Sequence, residues 1–411
     1  LYCLLGRTWS SLLPLGEIGW RYNVMSALCG ALAVGFFTAA LHRILCGASN
    51  VSTHKFPSPS SPAWAALGAG LLLAGFFDFW SQAVIAEVYP LGGLMLCALF
   101  YVAVAWHQSN RDDAPDWRWF YTLALLFGLA LNAHLSCVFL VPGLLFYVLI
   151  QHRARFRGQW FSRLATALAL CVAGWSLTLY LPLRSGLFPA PQNLPPSFEP
   201  LLRAKTANTS GQVDTTDWWP LDWTHPVTAR DWYAHISARQ YKRLLFKPQK
   251  FSIAGREIQV TGFASTPQQV AGRLLDILIR IAMSYLWTAP LVLLGFFLSW
   301  KRSEYSNSEH SHGAWLGSLL FLPALANVGV QINYQVGDVA NFFFPFYIAL
   351  AFWLGLGLAW LWRKAKSPFA QRLVVVMLIS AVASQWILLR PAVSKNGDTS
   401  ARDHALDRAV A

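Results

Sequence analysis

The chain has 411 residues, 55% of them hydrophobic and only 12% charged, with a formal net charge of +13. Soluble domains carry about 25% charged residues, so a soluble enzyme is excluded as a class. The positive balance is no nucleic-acid signal either, because it collects in short loops between apolar runs and in one basic loop segment.

Apolar runs of about 17–25 residues can cross a bilayer as helices. Ten such stretches follow one another at 23–45, 63–79, 89–106, 118–133, 135–150, 163–183, 274–299, 314–331, 341–362 and 372–389. The fourth and fifth are short and nearly fused. The predicted fold class is an all-α polytopic membrane protein of about ten transmembrane helices. The first letters, "LYCLLGRTWSSLLPLG", carry no initiator Met and no signal peptide, and suggest a chain cut at its N-terminus. Cys3, Cys29, Cys46, Cys97, Cys137 and Cys171 have no metal-clip spacing, and most lie in apolar runs. They read as small core residues.

The second and third runs are separated by "DFWSQAVIAEVYP", residues 78–90. At about 100° per residue, Asp78, Gln82 and Tyr89 share one helix face. Trp80, Val84 and Glu87 share the other. Pro90 is expected to end or kink the segment. A buried Glu87 needs a cation to stay charged, and Arg184 or His134 could supply it.

Lys and Arg prefer cytoplasmic loops. Arg153, Arg155, Arg157 and Arg163 mark one such loop, Arg363, Lys364, Lys366 and Arg372 another, and Lys301 and Arg302 a third. The alternate connections "DFWSQAVIAEVYP", "NAHLS" and "INYQVGDVAN" hold no Lys or Arg. Ten spans make this alternation consistent, with both chain ends and the loop 184–272 outside the cytoplasm. The polar residues near spans collect on that outer side: Asp78, Gln82, Glu87, Asn132, His134, Arg184, Asn333, Tyr334, Asp338 and Asn341. Ionisable groups in or near spans point to function. The bland alternative is that each caps a helix or sits at headgroup depth.

The expected domains are an N-terminal membrane part at 1–183 with six spans, an extracytoplasmic loop at 184–272, a C-terminal membrane part at 273–389 with four spans, and the start of an outer tail at 390–411. The outer loop includes "DWWPLDWTHPVTARDWYAHISARQYKRLLF", in which Trp218, Trp219, Trp223, Trp232 and Tyr233 alternate with Asp217, Asp222, Asp231 and His235. Aromatic faces beside carboxylates suit sugar rings, and an interfacial aromatic belt uses the same residues. "ARQYKRLLF" has the pattern of an amphipathic helix with Arg239, Lys242 and Arg243 available to phosphates. Asn208-Thr209-Ser210 is a glycosylation sequon, a short and weak match. No phosphate-binding Gly-rich loop, dinucleotide fingerprint, HExxH or nucleophile elbow occurs.

"FWSQAVIAEVY" resembles the signature of a large bacterial membrane family long known only as a domain of unknown function. Its animal relative is an endoplasmic-reticulum protein O-mannosyltransferase of the GT-C class. "LLGRTWSSLLPLGEIGWRYNVMSALCGALAV", "LNAHLS", "YLPLRS" with "LDWTHP" and "WYAHISARQY", and "INYQVGDVANFFFPFYIALAFWLGLGL" match that family in order, so the resemblance covers essentially the whole chain. It implies a GT-C-like enzyme that takes a mannose-like sugar from a polyprenyl-phosphate donor at the outer face of a bacterial inner membrane. The acceptor is a protein or a glycan, and no cofactor is implied; a divalent metal is left open. Candidate catalytic groups are Glu87, Asp338 and His134. Candidate substrate contacts are Trp80, Gln82, Tyr89, Asn132, Arg184, Trp223, His235, Tyr241, Asn333 and Tyr334. The implied partners are the donor, the acceptor and the lipid bilayer, with no nucleic acid. In relatives an acidic motif and a His-Pro-Pro-Gly-Tyr-Pro-like run precede the point matching residue 1, and the class carries its catalytic carboxylate in that first outer loop; the resemblance therefore implies that the chain as given lacks its catalytic base, binds the donor weakly at best and does not transfer the sugar. His225 stands where many relatives have Asp, and Asp78 where the position is usually uncharged. A non-catalytic scaffold and a transporter of a lipid-linked or polar substrate are the alternative readings.

The charge alternation is directly testable. A reporter fused after Arg157 is expected to read cytoplasmic and one fused after Asn208 external; a cytoplasmic reading at Asn208 inverts the topology.

Overall fold

A computed structural model describes residues 1–49, 61–109, 116–151, 159–187, 228–237, 239, 250–253, 256–259, 267–300, 315–334 and 339–393. All ten apolar stretches fold as helices. The first is α2 (Ile18–Ser49), preceded by a helix outside the ten, α1 (Tyr2–Leu12). The second is split into α3 (Ser61–Ala74) and α4 (Phe77–Ala83), and the third is α5 (Tyr89–Ser109). α6 (Trp117–Leu131) follows, then a 3-10 turn (Leu135–Leu140), α7 (Val141–Leu145) and a π turn (Phe146–Gln151). α8 (Trp160–Trp175) continues through a 3-10 turn (Ser176–Leu179) into α9 (Tyr180–Leu187). The segment 184–272 contributes α10 (Ala229–Ile236) and an antiparallel ribbon of β1 (Lys250–Ile253) and β2 (Arg256–Gln259), with Lys250 opposite Gln259 and Ile253 opposite Arg256. α11 (Pro267–Tyr285), α12 (Ala289–Ser299), α13 (Trp315–Gln331), α14 (Phe344–Lys364) and α15 (Pro368–Val393) complete the bundle.

Among the described residues six helices are long and apolar enough to cross a membrane, and the α3–α4 pair makes a seventh if its two halves count as one span. The stretches at 118–133, 135–150 and 314–331 fold as shorter helices, Trp117–Leu131, Leu135–Val148 and Trp315–Gln331. A straight helix the length of α6 reaches only about 22 Å, short of the ~30 Å hydrocarbon core. α5 and α14 are the buried centre of the bundle, while α8 and α15 turn most of their surface outward. Leu168 and Val172 on α8 and Val376, Ile379 and Ile387 on α15 are exposed apolar side chains, as a lipid-facing perimeter requires. Cys29, Cys97 and Cys137 are buried as expected of core residues, whereas Cys3 is exposed.

The break between α3 and α4 bends the pair by 67°. Backbone groups freed inside a membrane must find partners within the protein. Here Phe77 N donates to Ser284 Oγ at 3.3 Å, and Gln385 Nε2 donates to the carbonyls of Leu72 at 2.9 Å and Ser284 at 2.7 Å. Gln385 and Ser284 are both fully buried. Gly75 makes the approach of α15 possible, because a Cβ there would lie 2.3 Å from Gln385 Oε1 and 2.8 Å from Trp386 Nε1. Elsewhere Gly128 and Gly174 let α6 and α8 touch backbone to backbone, in the manner of small-residue membrane interfaces.

Two consequences are measurable as thermal unfolding in detergent. Gln385→Leu leaves two buried carbonyls short of a donor and is expected to cost about 1–3 kcal/mol for each group left unpaired. Gly75→Val is expected to destabilise through the same contact; wild-type stability in both variants contradicts this account of the break.

Candidate functional site

Residues 78–90 are not one helix. α4 ends at Ala83, a turn covers 84–88, and α5 starts at Tyr89. Pro90 therefore stands in the first turn of α5, where a missing N–H costs nothing, rather than ending the segment. Asp78 and Gln82 do share the buried face of α4. Trp80 points to α15, its ring 4.9 Å from Trp386. Phe79 points to α14, 5.5 Å from the Phe344 ring.

Asp78 is only 2% exposed and is held by Arg280 of α11, Nη1 to Oδ1 at 2.5 Å. Arg280 also reaches Asp276 one turn earlier, Nε to Oδ2 at 2.8 Å, and its guanidinium lies 5.7 Å from the centre of the Phe77 ring. Asp78 Oδ2 and the Tyr347 hydroxyl of α14 are buried beside each other, neither making a hydrogen bond of good geometry.

Glu87 is half-buried. Its backbone N–H donates to Ser26 Oγ and its carbonyl accepts from the same hydroxyl, both at 3.3 Å. Ser26 is fully buried and also meets the Tyr2 hydroxyl at 3.1 Å. Burial raises the Tyr2 phenol above its ordinary value, and the Glu87 carboxylate adds to the rise. α1, α2 and the 84–88 turn therefore meet at this point.

The connections without Lys or Arg come together at one end of the bundle. The Tyr89 ring lies 5.1 Å from His134 and 5.6 Å from Phe342. Phe342 in turn lies 5.7 Å from His134 and 5.1 Å from Tyr334. Glu87, two residues before Tyr89, stands at the edge of this aromatic wall. On the far side Arg273 of α11 donates to the carbonyl of Ile332, beside Asn333 and Tyr334.

Several of the predicted side chains here have structural duties. Asn132 Nδ2 donates to the carbonyls of Gly128 at 3.0 Å and Gly174 at 3.1 Å, tying the end of α6 to α8. Asn333 Nδ2 donates to Gly329 at 3.0 Å. His134 Nδ1 accepts from the backbone N–H of Ser136 at 3.2 Å and meets Ser136 Oγ at 2.6 Å, capping the following 3-10 turn. Burial pushes the His134 pKa down to about 4, so the imidazole is a neutral acceptor at ordinary pH. His235 lies on α10; that helix docks through Trp232, whose Nε1 donates to Thr178 Oγ1 at 3.0 Å and whose ring is 5.7 Å from Trp175.

Arg184 belongs to α9, but its side chain lies outside the described residues, as do Asp338, Trp223, Tyr241 and nearly all of the expected "ARQYKRLLF" helix. Among the described residues no group of three or more His, Cys, Asp or Glu stands close enough to hold a metal ion. Arg280, Tyr347, Ser284 and Gln385 were not singled out in the sequence. Arg280 and Asp276 carried a signal, being ionisable residues four apart at the start of an apolar run.

Residues 1–157 are similar to the family described as Protein O-mannosyl-transferase TMEM260 N-terminal domain. No curated protein and no solved structure matches the chain. The matched segment holds Trp80, Gln82, Glu87, Tyr89, Asn132 and His134, while Arg280, Tyr334 and Phe342 lie beyond it.

The His134 cap makes stability pH-dependent. A histidine whose folded pKa is depressed contributes stability that is present above its unfolded value and lost as pH falls toward the folded one, here between 6.5 and about 4. Asn also caps well but does not titrate. The expected result is that acidification from about pH 7.5 to about pH 5 lowers the thermal midpoint less in His134→Asn than in wild type; equal losses contradict the neutral cap.

Proposed function

We propose that the chain is the membrane part of a GT-C type glycosyltransferase. It takes a mannose-like sugar from a polyprenyl-phosphate carrier and passes it to a hydroxyl of a protein or glycan. The reaction takes place at the extracytoplasmic face of a membrane, in a bacterium the inner membrane. The observation that carries this reading is the meeting of the Lys- and Arg-free connections around Tyr89, His134, Phe342 and Tyr334 at one end of the bundle. The relation of residues 1–157 to a protein O-mannosyltransferase supports it.

The acceptor hydroxyl oxygen attacks the anomeric carbon as the bond from that carbon to the phosphate oxygen breaks. The hydroxyl proton passes to a carboxylate, which the class carries in its first outer loop and for which Glu87 and Asp338 are the candidates among these residues, and the phosphate leaves on its lipid carrier. General base catalysis contributes typically about 10²–10⁴-fold. A guanidinium beside the departing phosphate offsets its charge, the role assigned to Arg184. Tyr89 and Tyr334 offer ring faces to the sugar, joined by the outer-loop aromatics Trp223, His235 and Tyr241.

One observation favours a transporter instead. The α3–α4 span is broken at a buried ion pair, and discontinuous helices line transporter sites. In this chain, however, Ser284 and Gln385 take the freed backbone groups, so they do not line a cavity.

The test is transfer by the full-length protein in membranes given labelled polyprenyl-phosphate mannose and a peptide acceptor. Wild type is expected to transfer, and Glu87→Gln to lose about 10²–10⁴-fold in kcat. Uptake into sealed vesicles without transfer would establish the transporter, and full activity in Glu87→Gln would remove Glu87 from the reaction.

A further inference from the structure

Asp78 and Arg280 form an ion pair that the fold does not require for its backbone. The groups freed by the helix break are already taken by Ser284 and Gln385. Nor are buried ion pairs an efficient source of stability, since desolvation offsets most of the attraction. Apolar contacts on other sides already hold α4: Phe79 on Phe344, Trp80 on Trp386, and Ala83 against Gly30 of α2, where an added Cβ would lie 3.1 Å away.

What those contacts lack is direction. Stacked rings allow a short helix to roll about its axis at little cost, whereas a guanidinium–carboxylate bond does not. Arg280 is itself oriented in advance by Asp276 and by the Phe77 ring. The Tyr347 hydroxyl is buried beside Asp78. The pair sits in the first turn of α4, and Gln82 is one turn further along the same face. The turn carrying Glu87 begins where α4 ends.

We propose that the Asp78–Arg280 pair is a positioning device, which fixes the rotation of α4 and so the placement of Gln82 and of the turn that carries Glu87 into Tyr89. The proposal rests on the glycosyltransferase reading for its effect on turnover, but not for its effect on geometry. A misplacement of about 1 Å can cost about a hundredfold in rate.

The experiment uses the full-length protein and three kinds of variant. Arg280→Ala strands the buried Asp78 carboxylate and is expected to lower the thermal midpoint; Asp78→Ala leaves Arg280 with Asp276 and is expected to lower it less. Asp78→Leu combined with Arg280→Met removes both charges and is expected to recover most of that stability, while kcat for transfer stays about a hundredfold down with donor KM little changed. Asp78→Asn keeps the shape, serves if the double variant does not fold, and is expected to fold with reduced kcat. A second readout needs no enzyme activity: Ala86→Cys, in a Cys3→Ser background, is labelled with a membrane-impermeant maleimide. Its labelling rate is expected to shift several-fold in the double variant and in Asp78→Asn. Recovery of stability, turnover and labelling together in the double variant, or wild-type turnover and labelling in Asp78→Asn, overturns the proposal. If wild type itself transfers no sugar, the glycosyltransferase reading fails and the labelling alone decides the positioning.

Discussion

A peptide group without a hydrogen bond costs several kcal/mol in hydrocarbon, and the α3–α4 break puts such groups inside the bundle. The direction of α4 and the position of the turn that follows it depend on how that cost is met. Gln385 comes from more than 300 positions away to reach the Leu72 carbonyl, and Ser284 meets the Phe77 amide. With the break satisfied, α4 can leave the direction of α3 by 67° and present a short helix to α11, α14 and α15. An unbroken helix would carry Glu87 onward along the axis of α3. The bend instead brings Glu87 to Ser26 and Tyr2, at the end of the bundle where Tyr89 and His134 meet.

The architecture was legible because bilayer constraints write themselves into composition. Apolar run length located all ten helical stretches, and the alternation of Lys and Arg sorted the connections into two sets. One of those sets is the one whose rings meet at Tyr89, His134, Phe342 and Tyr334. Run length could not separate a spanning helix from a shorter one, so Trp117–Leu131, Leu135–Val148 and Trp315–Gln331 read like the rest.

The interior of the site was less legible, because its contacts are long-range. Helical periodicity carried through 78–90 placed Asp78 and Gln82 on one face, correctly, but it could not see that the helix stops at Ala83. Gly75 is one glycine among many in the apolar runs, and only the approach of Gln385 shows why it is there. Asn132 and Asn333 looked like ligand groups, yet each spends its amide on backbone carbonyls. Asp78 appeared as an odd charge at a usually neutral position, and its partner Arg280 lies 202 positions away. Membrane placement favours such pairing, because an unanswered charge at that depth is costly.

The central claim is that the end of the bundle formed by the Lys- and Arg-free connections holds the lipid-linked sugar. It is tested most directly by photo-crosslinking a polyprenyl-phosphate sugar bearing a diazirine on the sugar, followed by peptide mapping. The account predicts crosslinks to the segments 84–90, 132–136 and 332–342, competed away by unlabelled donor. Competed crosslinks confined to the opposite, Arg-rich end, around Arg163 or Arg363, would contradict it.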